Sequence, residues 1–398
     1  MKTVLLTTVV AGQHWNELQK SMKKGVVEIQ DAVGRIPLLG KTLEELEAFI
    51  RELGQPAYRG RQLYEWLYAK RAADFNAVTS FPLPLRETLS EKAVIRSLRL
   101  LDSQTSEDGT QKFLFRTLDG YNVESVLIPS EARDDQDEPK RRTLCISSQV
   151  GCPLDCKFCA TASMKLKRNL SAGEILEQYL QVEEMVEESI TNLVYMGMGE
   201  PMLNYDEVFR SVELFTAQEN SLVSAGRITV STSGFVPGIM RMADEDQRVK
   251  LAISLHVTTN GDRDRLMPIN RKYDLRAVMD AVEYYYRRTR RPVTYEYILF
   301  EGLNDSEEDA RRLAKITRRV PSKVNVIPFH PIDFTDPTGI SAELRPASPE
   351  RFDRFIALLR SHNVQVMVRS SSGVDIDAAC GQLAIRHEAE GLATAGTP

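Results

Sequence analysis

The spacing of hydrophobic and polar positions changes several times along the chain. Residues 1–37 hold no clear period and form an extension without an assigned role. From Lys41 the spacing turns helical. TLEELEAFIREL begins at Thr42 and has Glu45 three positions on, the pattern of a capping box. YRGRQLYEWLYAKR (58–71) puts Leu63, Trp66, Leu67 and the aliphatic stem of Lys70 on one face. Pro82 and Pro84 punctuate, and a further helical piece runs to about residue 96. These patterns predict a small helical accessory domain over residues 38–97.

Period two takes over in QKFLFRTLDGYNVESVLI (111–128), two alternating stretches around Leu-Asp-Gly, which reads as a β-hairpin. With the charged loop EARDDQDEPKRR (131–142) it makes a linking region over 98–142. Strand-like and helical runs then alternate. Strands are expected at 143–147, 192–196, 227–231, 249–256, 293–300, 323–329 and 364–369, and helices at 171–188, 205–217, 274–289, 306–319 and 349–362. Ser171 with Glu174 is a second capping box, and Ser348-Pro349 is an N-cap followed by proline at the first helical position. Repeated βα units predict an α/β fold with a parallel sheet and outer helices. The count is about six units, a partial (βα)6-type barrel over 143–385, followed by a tail over 386–398.

Composition changes this picture little. The chain has 398 residues, 42% hydrophobic and 27% charged, which is ordinary for a globular protein with a large core. No run of 18 apolar residues occurs, so no membrane span is expected. The opening MKTVLLTTVVAGQ has one lysine and a short apolar stretch, so export is not expected and the cytoplasm is. A net charge of −5 argues against a generally basic nucleic-acid coat but allows local patches. PKRRT (139–143), MKLKRN (164–169) and YYYRRTRRP (284–292) are candidates, with Arg59, Arg61, Lys70 and Arg71 in the helical region; each can equally be a solvated helix face or helix end.

Candidate chemistry concentrates on cysteine. There are five, an odd number, and Cys152, Cys156 and Cys159 stand as C-x₃-C-x₂-C in GCPLDCKFC. Structural zinc needs a fourth ligand, for which His256, His330 and Cys380 are distant possibilities. Unliganded core thiols are a second reading, at odds with the polar residues between them. The third is a [4Fe–4S] cluster with three irons capped by thiolate and one left open for a ligand.

The chain resembles the RlmN/Cfr family of radical S-adenosylmethionine RNA adenine methyltransferases. The resemblance runs from about residue 40 to 385 and rests on C-x₃-C-x₂-C with Phe158, on VESVLIP (123–129), TLCISSQVGC (143–152), MGMGEPMLN (196–204), STSG (231–234), ISLH (253–256), PIN (268–270) and DIDAACGQLA (375–384). It implies a radical SAM barrel whose site lies at the C-terminal ends of the strands. It implies one [4Fe–4S] cluster on Cys152, Cys156 and Cys159, with two S-adenosylmethionine molecules per turnover, as methyl donor and as radical source. Cofactor contacts implied are Gly199, Glu200, Ser231, Ser254, Leu255 and His256, with His330 at a position where many relatives carry asparagine. Implied catalytic residues are Cys380, which carries the methyl group, Cys145, which resolves a protein–RNA adduct by forming a disulfide with Cys380, and Glu124 as general base. The implied partners are 23S rRNA, tRNA and an electron donor such as a flavodoxin-type reductase system. Methylation at adenine C2 is the leading expectation. Methylation at C8 is the alternative, since Val374 replaces an aspartate frequent in C2 enzymes, and a noncatalytic iron–sulfur RNA-binding protein is the third.

Overall fold

The computed structural model describes residues 30–129, 141–217, 221–369, 372–378 and 382. Its centre is one ten-stranded sheet whose strands follow chain order from edge to edge. They are β1 (Leu98–Thr105), β2 (Gln111–Thr117), β3 (Asn122–Pro129), β4 (Arg142–Cys145), β5 (Asn192–Tyr195), β6 (Ile228–Thr232), β7 (Lys250–Ser254), β8 (Val293–Leu299), β9 (Ser322–Pro328) and β10 (Val366–Val368). Strands β1 to β4 pair antiparallel, and β4 to β10 pair parallel. The sheet stays open, with β1 at one edge and β10 at the other.

Eleven helices are described: α1 (Leu43–Glu52), α2 (Tyr58–Tyr64), α3 (Leu83–Lys92), α4 (Ala172–Met185), α5 (Tyr205–Thr216), α6 (Val236–Asp244), α7 (Asn260–Leu266), α8 (Leu275–Thr289), α9 (Glu307–Thr317), α10 (Ile340–Glu343) and α11 (Pro349–Ser361). Each parallel connection contains a helix, so consecutive strands lie side by side, as parallel crossovers require. The expected capping boxes at Thr42/Glu45 and Ser171/Glu174 are both formed.

Four elements escape the sequence pattern, the helices α6, α7 and α10 and the strand β1. Helix α6 starts with Val236-Pro237-Gly238, which reads as a breaker, yet proline in a first turn gives up no intrahelical bond. Strand β1 carries few apolar residues and has a register shift between Leu100 and Asp102, so its alternation is weak. It adds a third strand to the expected hairpin, and all three continue the barrel sheet.

Helix α4 is buried along residues 172–182 because the sheet and the N-terminal helices cover it from two sides. Its polar residues are therefore all engaged. Glu177 accepts from the Ser97 amide and hydroxyl (both 2.7 Å) and the Leu98 amide (3.1 Å), and Gln178 bonds Ser147 and Ser125. The N-terminal unit docks where two backbones touch. A Cβ on Gly173 would lie 2.1 Å from the Leu39 carbonyl oxygen, a distance no side chain permits. Arg210 of α5 adds a bond to the Gly40 carbonyl (2.7 Å) and pairs with Glu45. Among the described residues no helix is long and apolar enough to cross a membrane.

Candidate active site and metal centre

The cysteine loop leaves β4 and is closed at its base by antiparallel pairing of Gln149–Val150 with Arg168–Asn169. Within it Cys152, Cys156 and Cys159 are half-buried free thiols. The backbone is held by protein bonds alone: the Cys159 amide donates to Cys156 O (3.1 Å), and the Lys157 amide donates to Leu266 O at the end of α7 (2.9 Å). Burial pushes all three thiols up, and a negative charge on Cys156 or Cys159 pushes Cys152 up further. Three adjacent thiolates become favourable only with cations bound to them, so this donor set fits a thiolate-held metal group. Among the described residues no group of three or more His, Cys, Asp or Glu side chains is gathered so as to hold a single metal ion.

Loops from successive strand ends converge beside the thiols. After β5, Gly199 has φ +101° and passes so close to Gln149 that a Cβ would sit 2.6 Å from its Cβ. Only glycine meets both demands. Gln149 Oε1 then accepts the Glu200 amide at 2.8 Å. Glu200 is buried and bridges two loops: one carboxylate oxygen accepts from the Met202 amide (3.2 Å), the other from the Ser233 amide after β6 (2.8 Å). Burial raises its pKa against these bonds. The Ser231 and Ser254 hydroxyls lie 3.4 Å apart across β6 and β7.

The end of β7 is irregular. The amides of Leu255 and His256 both donate to Glu296 O of β8, and His256 has φ +58°. Leu255 is fully buried. His256 Nδ1 accepts the Ile298 amide at 3.1 Å, which leaves the ring proton on Nε2. Burial and the nearby Arg263 hold this imidazole down at about 3, so it is neutral. Phe158 of the cysteine loop packs edge-on against it, with ring centres 4.7 Å apart. His330 is half-buried just beyond β9, and burial lowers its pKa too.

Cys145 ends β4 opposite Val126 of β3, and Glu124 lies buried two residues before Val126. The Ser147 hydroxyl donates to Glu124 O at 2.7 Å. Burial pushes the Cys145 thiol up to about 11, although Arg369 opposes this. Cys145 is a free thiol, so no disulfide is formed there, and Cys380 lies outside the described residues. The chain on both sides of Cys380 is placed. Ala378 and Val126 form one buried cluster, against which Ile128, Cys145 and Ile376 pack. Gln382 donates to Pro331 O, next to His330, at 2.9 Å. Residues 373–378 rest on the β1–β2 turn: Ser106 Oγ bonds Asp375 (2.5 Å), the Gly373 amide bonds Asp108 (2.8 Å) and Lys112 Nζ bonds Ile376 O (2.5 Å).

Known proteins share this arrangement. The Radical SAM superfamily matches residues 146–314, and the ribosomal RNA large subunit methyltransferase N-terminal domain matches residues 36–95. A probable dual-specificity RNA methyltransferase RlmN of Salinibacter ruber is 43% identical over 345 residues, covering 85% of this chain and 91% of the relative. The chain belongs to the RlmN family. The dual-specificity RNA methyltransferase RlmN of Geobacter sulfurreducens is also 43% identical, over 87% of this chain and 92% of its own. The crystal structure of a radical SAM methyltransferase from Sphaerobacter thermophilus is 40% identical, with a TM-score of 0.78 over 89% of this chain and 99% of that one.

In this RlmN-family chain the strand-end residues named from sequence gather on one face, at the C-terminal ends of β4 to β9. The basic stretches divide differently. Arg168 is committed to Asp119 and Glu174 in two ion pairs. Arg288 and Arg291 sit where α8 ends and β8 begins, the opposite end of the strands, and pair with Asp244 and Asp246. Lys165 and Lys167 remain exposed near the cysteine loop, and residues 139 and 140 of PKRRT lie outside the described residues. Sequence reasoning missed Arg263, Gln149, Glu296 and Asn304, whose side-chain amide donates to His256 O at 2.7 Å. Glu296 did carry a signal, a carboxylate inside the apolar run VTYEYILF; it is buried on β8, bonded to Asn325 (2.8 Å) and 3.9 Å from Arg369.

Proposed function

We propose that the protein methylates C2 of an adenine in 23S rRNA and in tRNA, through a methylated Cys380 and a transient protein–RNA adduct. The observation that carries this reading is that Ala378 and Cys145 belong to one small apolar cluster built on Val126. It brings the segment leading to Cys380 into the neighbourhood of the cysteine of β4, which the cysteine loop does not use. A purely structural cluster needs neither cysteine.

Cys152, Cys156 and Cys159 would hold one [4Fe–4S] cluster, each thiolate on its own iron, so they need no common ion-sized centre. That cluster, with S-adenosylmethionine used twice per turnover, supplies the methyl group and the one-electron chemistry. The backbone at Gly199 and Leu255, with Glu200, Ser231, Ser254, His256 and His330, forms the cradle for that cofactor. The proton on His256 Nε2 makes the ring a donor there, and Glu200 holds the loops after β5 and β6 together.

Cys380 would carry the methyl group as a thioether. The one-electron chemistry would remove a hydrogen atom from that methyl, and the methylene left would bond the substrate C2. Glu124 takes the proton from C2, and the one surplus electron returns to the one-electron system. The Cys145 thiolate attacks the Cys380 sulfur. A sulfur–sulfur bond forms as the sulfur–methylene bond breaks, its electron pair leaving with the methylene carbon, which is protonated to methyl as the RNA departs. An external dithiol then reduces the disulfide, and a flavodoxin-type donor delivers the single electron. Both suit the cytoplasm, where thiols stay reduced. An adenine edge is reached only in an unstacked nucleotide.

The test is anaerobic reconstitution with iron and sulfide, incubation with S-adenosylmethionine, reductant and RNA, and mass spectrometry of the nucleosides. Methyl at C2 supports the reading, methyl at C8 moves the chain to the alternative regiochemistry, and no methyl removes the enzyme reading. The Cys145→Ala variant should accumulate crosslinked protein–RNA, and normal turnover by it would exclude the resolving role.

A further inference from the structure

Arg263 heads the fully buried side chains by volume, with no exposed surface. Its guanidinium donates to Ser233 O (2.7 Å), Ser254 O (3.3 Å) and Asn270 Oδ1 (3.2 Å). All three acceptors are neutral, its Nε has no hydrogen-bond partner, and no salt bridge to it is formed among the described residues. Of the negative groups that act on it, Cys156 comes first and Asp264 second. A buried cation with no direct ion pair is costly, because little Coulombic energy offsets the desolvation loss. Stable retention of such a charge points to an anion on the Cys156 side that joins it in the working protein.

The surroundings say where that anion lies. Helix α7, which carries Arg263, is bonded to the cysteine loop through the Lys157 amide and Leu266 O, next to Cys156. Ser233, which accepts from Arg263, also donates its amide to Glu200. Arg263 thus stands behind the loops after β6 and β7 and beside the cysteine loop, too deeply covered to touch a substrate.

We propose that Arg263 is a positioning residue whose buried charge is the counter-ion of the thiolate-held cluster, raising its reduction potential while its fork braces the loops bearing Ser233 and Ser254. This rests on the reading that Cys152, Cys156 and Cys159 hold a cluster. Each added electron makes such a group more negative, and a fixed positive charge in a low-dielectric interior favours the reduced form.

The test compares wild type with Arg263→Lys, which keeps the charge, and with Arg263→Gln and Arg263→Met, which remove it. Thermal unfolding of each apoprotein selects the neutral variant that folds. After anaerobic reconstitution, iron and sulfide content and an EPR-monitored redox titration are read without RNA. The neutral variant should shift the oxidised-to-reduced ratio about tenfold toward the oxidised form at fixed potential, about 59 mV for one electron. Arg263→Lys should stay close to wild type. A neutral variant with the wild-type potential overturns the proposal, and so does an equal displacement in the Lys and neutral variants, the mark of a bracing fork alone. A wild-type protein that takes up no iron or sulfide overturns the cluster reading, and this inference with it.

Discussion

Cys145 shows how far a single residue's environment governs its chemistry. A thiol near its ordinary value is partly ionised at pH 8, but burial holds this one up at about 11. Its thiolate is therefore scarce at neutral pH and grows about tenfold with each pH unit. Alkylation of Cys145 by iodoacetamide, followed by peptide mass spectrometry, should climb about tenfold per unit from pH 7 to pH 9. Levelling off near pH 9 would contradict the burial effect. Arg369→Gln should slow the labelling at every pH, because the positive charge at 369 favours the thiolate. The same scale marks a boundary of sequence reading. Cys152, Cys156 and Cys159 are legible because their ligand spacing is local. Arg263 and Gln149 are not, because an arginine in DRDRL or a glutamine in SSQVG takes its role from partners 30 and 51 residues away.

Element-scale behaviour turns on two junctions. Glu177 ties α4 to the start of β1. Burial raises its pKa to about 7 despite four donors on its oxygens. Between about pH 4.5 and 7 the folded state keeps a proton that the unfolded state has released, so stability falls as pH rises through this window. Glu177→Gln should flatten that slope by up to roughly 1.4 kcal/mol per pH unit in urea titrations from pH 5 to 7.5; an unchanged slope would assign it elsewhere. The second junction is the β1–β2 turn, which receives residues 373–378 through Ser106, Asp108 and Lys112. Asp375→Asn loses a charge-assisted bond and should lower methylation about tenfold. Cluster content should stay at the wild-type level, since the turn lies away from the cysteine loop. A loss of cluster in that variant would count against a role confined to the Cys380 segment.

At the scale of the whole molecule, the N-terminal helices are built onto the barrel through backbone contact at Gly40 and Gly173. Gly173→Ala places a methyl group against the Leu39 carbonyl and should cost roughly 1–3 kcal/mol, an overpacking penalty. Thermal unfolding and limited proteolysis would read it, with cleavage around residues 37–41 rising first. A variant as stable and as protease-resistant as wild type would show that the interface yields without cost. The open sheet has a matching consequence. Among the described residues, with β1 and β10 at its two edges, the face where the strand-end loops converge is not ringed by a closed barrel.

The sequence by itself determined the period of most elements, the two capping boxes, the C-x₃-C-x₂-C spacing and the order of the strand-end blocks. Each of these is written in residues a few positions apart, where helix and strand geometry act directly. Tertiary structure alone decided that Ala378 and Cys145 share one apolar cluster, that Asp375 docks on the β1–β2 turn, that Arg168 is a structural ion-pair residue, and that an Arg263 with no salt bridge is buried behind the cysteine loop. Those facts depend on which distant strands become neighbours. Burial then sets the electrostatics, lowering His256, raising Cys145 and lowering Arg263, and no local pattern encodes how deeply a side chain will be covered.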